Sequence, residues 1–460
     1  MNLFFKFYRD IPIRIVFRFA EGMLLWILIV PSGYAQTTNT KDSISTDQKW
    51  NFHFQNTIIY QYHPGFYAKY SGENSLLNAK EATTSITGTF YLGAKLWKGA
   101  SIYYNPEISG GNGFSQTRGV AGFPNGEVYR VSDAAPKIYT ARLYLHQIFA
   151  LSDESQHITD DVNQLATKAP ASYLSITAGK FSMMDFFDNN QYSHDPRTQF
   201  YNWALMGNGA WDYPANTKGY TYGIIAELVK PQWALRFAMV MVPVRANEAV
   251  MDSKFLRSHS EALEFEHKYS IGNQYGTIRL MTFLTEARMG NYQKAIAWGT
   301  AHNTAPVIDS VSALGRTKYG FGVNIEQNLS KNVGMFVRAG WNDGLNETWA
   351  FTEIDRCLST GIQLGGKFWK RTDDNLGIAL IANGLSTEHR DYLKGGGYGF
   401  IIGDGNLNYG SELIAEMYYS FKLPRYNFWL SPDYQFIINP AYNRDRGPVS
   451  AFGVRAHIAF

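Results

Sequence analysis

From about residue 49 to its last residue the chain repeats one unit, a stretch of about ten residues in which apolar and polar side chains alternate, and period two means strand. At the C-terminus Phe452, Val454, Ala456, Ile458 and Phe460 fall on one face, with Gly453, Arg455 and His457 on the other. Further segments repeat this with charge on the second face. Trp233, Leu235, Phe237 and Met239 alternate around Arg236, and Tyr319, Phe321, Val323 and Ile325 around Asn324 and Glu326. Met335, Val337, Ala339 and Trp341 alternate around Arg338, while Leu413, Ala415, Met417 and Tyr419 alternate around Glu416. A soluble sandwich packs the oily faces inward; a membrane barrel turns them to lipid and lines an aqueous lumen with the polar ones.

The aromatic last residue decides between the two. A terminal strand that is apolar at alternate positions and ends in Phe460 resembles the assembly signal of Gram-negative outer-membrane barrels. Such segments fall at roughly 49–62, 83–96, 99–107, 138–150, 172–181, 219–229, 232–244, 259–269, 276–288, 317–328, 333–342, 352–366, 374–384, 409–421, 426–438 and 449–460, sixteen in all. An even count suits a bacterial single-chain barrel with short periplasmic turns and long external loops. The connections obey this: Lys230-Pro231, Ser270 to Tyr275, Leu329 to Asn332 and Lys422 to Arg425 are short, whereas 107–137, 182–218, 289–316 and 385–408 are long. The long connection 151–171 falls where a short turn belongs, and marks either an insertion or a slipped strand. The fold expected is all-β, a single transmembrane antiparallel barrel of about 16 strands enclosing an aqueous channel.

Composition removes competing classes. The single cysteine, Cys357, excludes a disulfide framework and a Cys-ligated metal centre. Tyr, Phe and Trp number 30, 30 and 11, too many apolar faces for a disordered chain. The longest apolar run, Met23 to Val30, is far short of the roughly 20 residues of a spanning helix. That run follows Lys6, Arg9, Arg14 and Arg18 and precedes Pro31-Ser32-Gly33-Tyr34-Ala35, so residues 1–35 read as a secretory signal peptide. A short polar periplasmic tail, 36–48, then leads into a barrel domain at 49–460. Removing the signal leaves a net charge of about +1, which offers no polyanion-binding surface; nucleic acid is not an expected partner.

Candidate function concentrates in connection 182–218, dense in aromatics and in charges of both signs. A loop this long is uncommon unless it has a job. Folded into the channel, it would set Asp185, Asp188, His194, Asp195, Arg197, Trp203, Trp211, Asp212 and Tyr213 at a constriction. Flat aromatic faces pack against pyranose C–H faces, while carboxylates and guanidinium groups bond hydroxyls. The alternative is that Phe186, Phe187, Phe200 and Trp203 anchor the loop to itself and to the wall. Arg142, Arg236, Arg279 and Arg338, with Glu326, Glu416 and Asp433, are predicted to face inward as a pore wall charged with both signs. Such a wall favours neutral polar solutes over ions of one sign, and some of its members are expected to pair and brace the barrel.

Enzyme readings find little support: no Gly-x-Ser-x-Gly is present, Gly110-Gly111-Asn112-Gly113 reads as a turn, and Asp373-Asp374 reads as a solvated turn. No catalytic residue and no cofactor is expected. His194-Asp195 and His389 are weak grounds for a metal site.

Several runs resemble the carbohydrate-selective porin family of the OprB type: Asn105-Pro106-Glu107, Gly119 to Glu127, Ala178 to Phe181, Asp185 to Asp188, His194 to Phe200 with Asn202-Trp203, Asn208 to Tyr213, Trp349 to Asp355 and Asn439 to Pro448. The resemblance implies a 16-stranded outer-membrane barrel through which mono- and oligosaccharides diffuse passively. Relatives of this type also include manganese and other divalent-ion porins, so an ion porin is the alternative. Outer-membrane lipid is the implied surrounding, and a homotrimer is a possible assembly.

Overall fold

The structure, a computed structural model, describes residues 47–128 and 135–460. The expected signal peptide, and all but the last two residues of the tail, lie outside the described residues. Sixteen strands close an antiparallel barrel: β1 (Trp50–His63), β2 (Glu81–Trp97), β3 (Ala100–Gly111), β4 (Lys137–Ala150), β7 (Tyr173–Phe181), β8 (Thr221–Val229), β9 (Trp233–Met241), β10 (His259–Ile271), β11 (Gln274–Met289), β12 (Ala313–Ser330), β13 (Val333–Asn342), β14 (Arg356–Gly365), β15 (Asn375–Gly384), β16 (Glu412–Lys422), β17 (Phe428–Ile438) and β18 (Val449–Ala459). Two further strands, β5 (Ser155–Ile158) and β6 (Thr167–Pro170), pair only with each other. They lie within the connection 151–172, so the long turn there is an inserted hairpin and the strand count does not slip.

Closure runs through β1 and β18, in register from Gln55↔Ala459 to Tyr62↔Phe452. A closed ladder leaves no edge, which matters because an unpaired backbone group in hydrocarbon costs several kcal/mol. The C-terminal alternation follows directly: Phe452 and Val454 lie exposed on the outer surface while Arg455 and His457 are buried inside. At the short-loop rim Trp50, Trp97, Phe149, Tyr275, Phe368, Tyr426 and Phe460 stand exposed, an aromatic girdle of the kind that sits at headgroup level.

The boundaries differ from the periodicity at the long-loop rim. β2 and β12 begin earlier than the pattern shows, and Gly110 and Gly111, read as a turn, are the last ladder residues of β3, paired with Ile86 and Ser85. Residues 352–355, read as part of β14, are loop. Several long loops turn inward, and the barrel carries a hydrophobic core in which loop residues such as Phe123, Phe187, Trp211 and Phe351 pack against wall residues such as Ile225, Phe283 and Ile414. Two helices in those loops, Tyr292–His302 and Thr387–Lys394, meet through Tyr292, stacked 4.3 Å from the His389 ring.

Candidate functional site: a loop folded across the lumen

Segment 182–220 leaves β7 and crosses the barrel interior. Ser182 opens it with a reciprocal cap: the Ser182 N–H donates to Asp185 Oδ2 at 3.1 Å at the head of a single turn, Met183–Asp185. The Asp185 carboxylate then receives Arg142 of β4 in a fork, both nitrogens at 2.6 Å. Asp188 adopts φ 55°, a left-handed conformation that Asp tolerates better than most residues. Its carboxylate accepts Asn324 Nδ2 at 2.8 Å and the Asn208 N–H at 2.6 Å, and stands 3.1 Å from Arg338 Nε.

Wall carboxylates catch the loop's backbone. Glu264 accepts the Asp188 N–H at 2.6 Å, Glu326 the Gln191 N–H at 2.6 Å, and Glu416 the N–H groups of Tyr201 and Asn202 at 2.5 and 3.1 Å. Arg455 of β18 donates to the carbonyls of Pro196 and Gln199 at 2.7 and 2.6 Å. Loop segments inside a barrel cannot join the ladder, and an unpaired buried backbone group costs about 1–3 kcal/mol, so these side chains complete the backbone's hydrogen bonding. Inward glycines mark where the loop presses: a Cβ on Gly340 would fall 1.8 Å from Asn208, and one on Gly334 2.0 Å from the Tyr192 ring.

Arg197 bonds through every nitrogen of its side chain. Its Nε donates to Glu127 at 2.8 Å, Nη2 to Glu107 at 3.0 Å, and Nη1 to Thr89 Oγ1 and Tyr91 Oη at 3.1 and 3.2 Å. Glu107 also takes the Tyr139 hydroxyl and, at 3.0 Å, that of Tyr220. One cation therefore joins two carboxylates from β3 and the loop 112–128, and burial pushes the Glu127 carboxyl up against the pull of Arg197. The Asp195 carboxylate stays local, accepting the Arg197 N–H at 2.9 Å. His194 is half-buried with Nδ1 unbonded among the described residues; burial, then Arg338, hold its imidazole below the ordinary range.

The aromatics expected at the constriction sit elsewhere. Trp203, Trp211 and Tyr213 are only 7, 2 and 4 % exposed. Trp203 stacks on Phe123 at 4.9 Å and on Tyr213 at 5.6 Å, and Tyr213 lies 5.3 Å from Phe351. Asp212 is buried too, accepting the N–H groups of Trp349, Ala350 and Phe351 at 2.6, 2.8 and 3.2 Å, and burial raises its carboxyl. These four residues form the anchor that fastens the segment to the loop 343–355. Their partners, Phe123 and Phe351, lie far away in sequence, which is why spacing alone could not assign them.

All seven wall residues turn inward as the alternation predicts. Arg142, Arg338, Glu326 and Glu416 hold the segment, whereas Arg236 and Arg279 join carboxylates along the wall. Arg236 reaches Glu227 and Glu264 at 3.0 Å and Glu266 at 3.1 Å; Arg279 reaches Glu266 at 2.9 Å and Glu326 at 3.5 Å. Asp433 bonds Gln435 at 3.1 Å. Glu107 and Glu127 entered the sequence reading only within the family-resembling runs, and Glu227, Glu264 and Glu266 not at all, although each inward one lies on the polar face of an alternating segment. Among the described residues no three His, Cys, Asp or Glu side chains converge as a metal site requires.

This geometry has relatives. The high-pH structure of OprB from Pseudomonas putida superposes with a TM-score of 0.67 at 13% identity, covering 90% of this chain and 94% of that one. The outer membrane channel DcaP of Acinetobacter baumannii superposes with a TM-score of 0.48 at 9% identity, covering 90% and 99%. No curated protein sequence matches. Residues 73–460 match the family described as carbohydrate-selective porin, OprB family, so β2 to β18 with every loop between them are covered. With the closed 16-strand barrel and its loop-crossed lumen, that match over most of the chain makes this protein a member of the carbohydrate-selective porin family, OprB type.

Proposed function

We propose that neutral sugars cross the barrel beside segment 182–218, along the wall of β4 and β7 to β12. One observation carries this: on that side the charges are paired yet partly open to water. The side chains of Arg142 and Asp185 are 12 and 25 % exposed, and Arg236 and Glu227 are likewise partly exposed. A surface of paired guanidinium and carboxylate groups bonds hydroxyls through donors and acceptors alike and attracts neither sign of ion strongly. Arg197, held by Glu107 and Glu127, ties the segment to β2 and β3 beside that wall. Trp203, Trp211 and Tyr213 support the loop from behind.

The family and the barrel imply the Gram-negative outer membrane as the setting. A channel, not turnover, is the family's business, and in this reading solutes move down their own gradient. Liposomes carrying the purified protein are expected to swell in glucose and in maltose faster than empty ones. Equal rates would refute the reading.

A further inference from the structure

The hairpin inserted between β4 and β7 does not hang from the barrel; it turns up into the short-loop mouth. Its base is closed by backbone bonds from Leu151 to Ser172 at 2.9 Å and from Ala171 to Glu154 at 2.8 Å. Its tip is a tight turn in which Asp161 and Gln164 exchange backbone bonds at 3.0 and 3.1 Å around Val162 and Asn163, the latter at φ 54°. That tip is tied to inward residues of the wall. Asn51 of β1 donates to Asp160 Oδ1 at 2.8 Å and to the carbonyls of Asp161 and Gln164 at 3.2 and 2.9 Å, and His53 Nε2 lies 3.1 Å from the same Asp160 oxygen.

The deepest tie is Asn105 Nδ2 to Asn163 Oδ1 at 2.8 Å. Asn105 lies five residues up β3 from its first residue, about 16 Å of strand, and Glu107, which holds Arg197, is the next inward residue above it. Leu165 is buried in the same cluster as Tyr103. The N-terminal segment clasps the hairpin from below: Gln48 and Ala166 bond in both directions at 2.9 and 2.7 Å, and Asp47 holds Thr167 and Lys95, each at 2.8 Å. Such ties are far more than a turn needs, because Ala150 and Tyr173 are already paired across the ladder and two or three residues would join them.

We propose that this hairpin is a filter set at the short-loop mouth, in series with segment 182–218 above it, which narrows the exit and presents the Asp160 and Asp161 carboxylates to the passing solute. The inference rests on the barrel being a conducting channel and not on which sugar it takes, so it is read from ionic current with no sugar present. The carboxylates add a cation preference at that mouth and disfavour acidic sugars over neutral ones.

The test places one thiol at the tip. Val162 is 44% exposed, and the native Cys357 is buried, so Val162→Cys gives a site-selective target. Open channels in a planar bilayer are exposed to a negatively charged methanethiosulfonate, first on one side and then on the other. The expected result is a stepwise loss of current in Val162→Cys and none in the parent. Modification confirmed by mass without a change in current, or a thiol that stays unmodified from both sides, would overturn the proposal. In a second variant residues 153–170 are replaced by a two-residue turn. A larger single-channel step and a weaker cation preference are expected, and an unchanged step with an unchanged reversal potential would contradict the filter.

Discussion

Two arcs of the barrel wall use the same residue types at the same alternate positions for different ends. Along β8 to β11, Glu227, Arg236, Glu264, Glu266 and Arg279 pair with each other across neighbouring strands, Glu264 also accepting the Asp188 N–H of the loop. Along β12 to β18, Arg338, Glu412, Glu416 and Arg455 reach instead for loops: Glu412, for example, accepts the N–H groups of Ala121, Gly122 and Ala441 at 2.9, 2.8 and 2.8 Å. The difference teaches that inward charge in a barrel is not one signal. Where a cross-strand partner lies opposite, it neutralises the wall; where a loop lies opposite, it becomes part of the loop's backbone bonding.

The contrast can be broken at its loop-facing arc first. Arg338→Ala leaves Asp188 buried without its cation, an expected loss of about 3–5 kcal/mol, seen as a lower unfolding temperature in detergent and an unstable open-channel current. Trp211→Ala opens a cavity behind the segment and is expected to cost about 3–5 kcal/mol while leaving ion selectivity as it was, because Trp211 does not face the passage. A selectivity change without destabilisation would move Trp211 back to the constriction.

The other arc should answer in selectivity. Arg236→Gln removes the cation shared by three carboxylates, and the reversal potential is expected to shift towards cations, with a stability loss of about 1–3 kcal/mol. The smallest effect is in pH. Glu347, in the loop after β13, has its carboxyl pushed up to about 7, first by burial, against the N–H of Gly290 that it accepts. Its folded value is raised above its unfolded one, so the stability tied to its protonated form is present below about 4.5 and is lost as pH rises through about 7. Glu347→Gln is expected to flatten that part of a stability profile measured against pH.

The existence and facing of the barrel strands were legible because lipid outside and water inside impose period two on each of them, and Arg236, Arg338, Glu416 and Arg455 fall as the alternation places them. The inward course of 182–218 was legible only as an expectation, from length and aromatic content. What stayed hidden depends on contacts between distant segments. The grip of Glu127 and Glu107 on Arg197 joins three parts of the chain, and the Phe123–Trp203–Tyr213–Phe351 stack joins three loops. A local clue existed: Gly334 and Gly340 interrupt the polar face of β13 where Tyr192 and Asn208 press in. The hairpin at 151–172 showed as a departure from the loop-length rule, though not as a segment that folds inward.

Single-channel current titrated with maltose tests the central claim most directly. A block that saturates with sugar, and that Arg197→Ala weakens while the channel still conducts, is the expected result. No block at any sugar concentration, together with reversal potentials that show strong cation preference, would contradict a sugar path and assign the passage to ions.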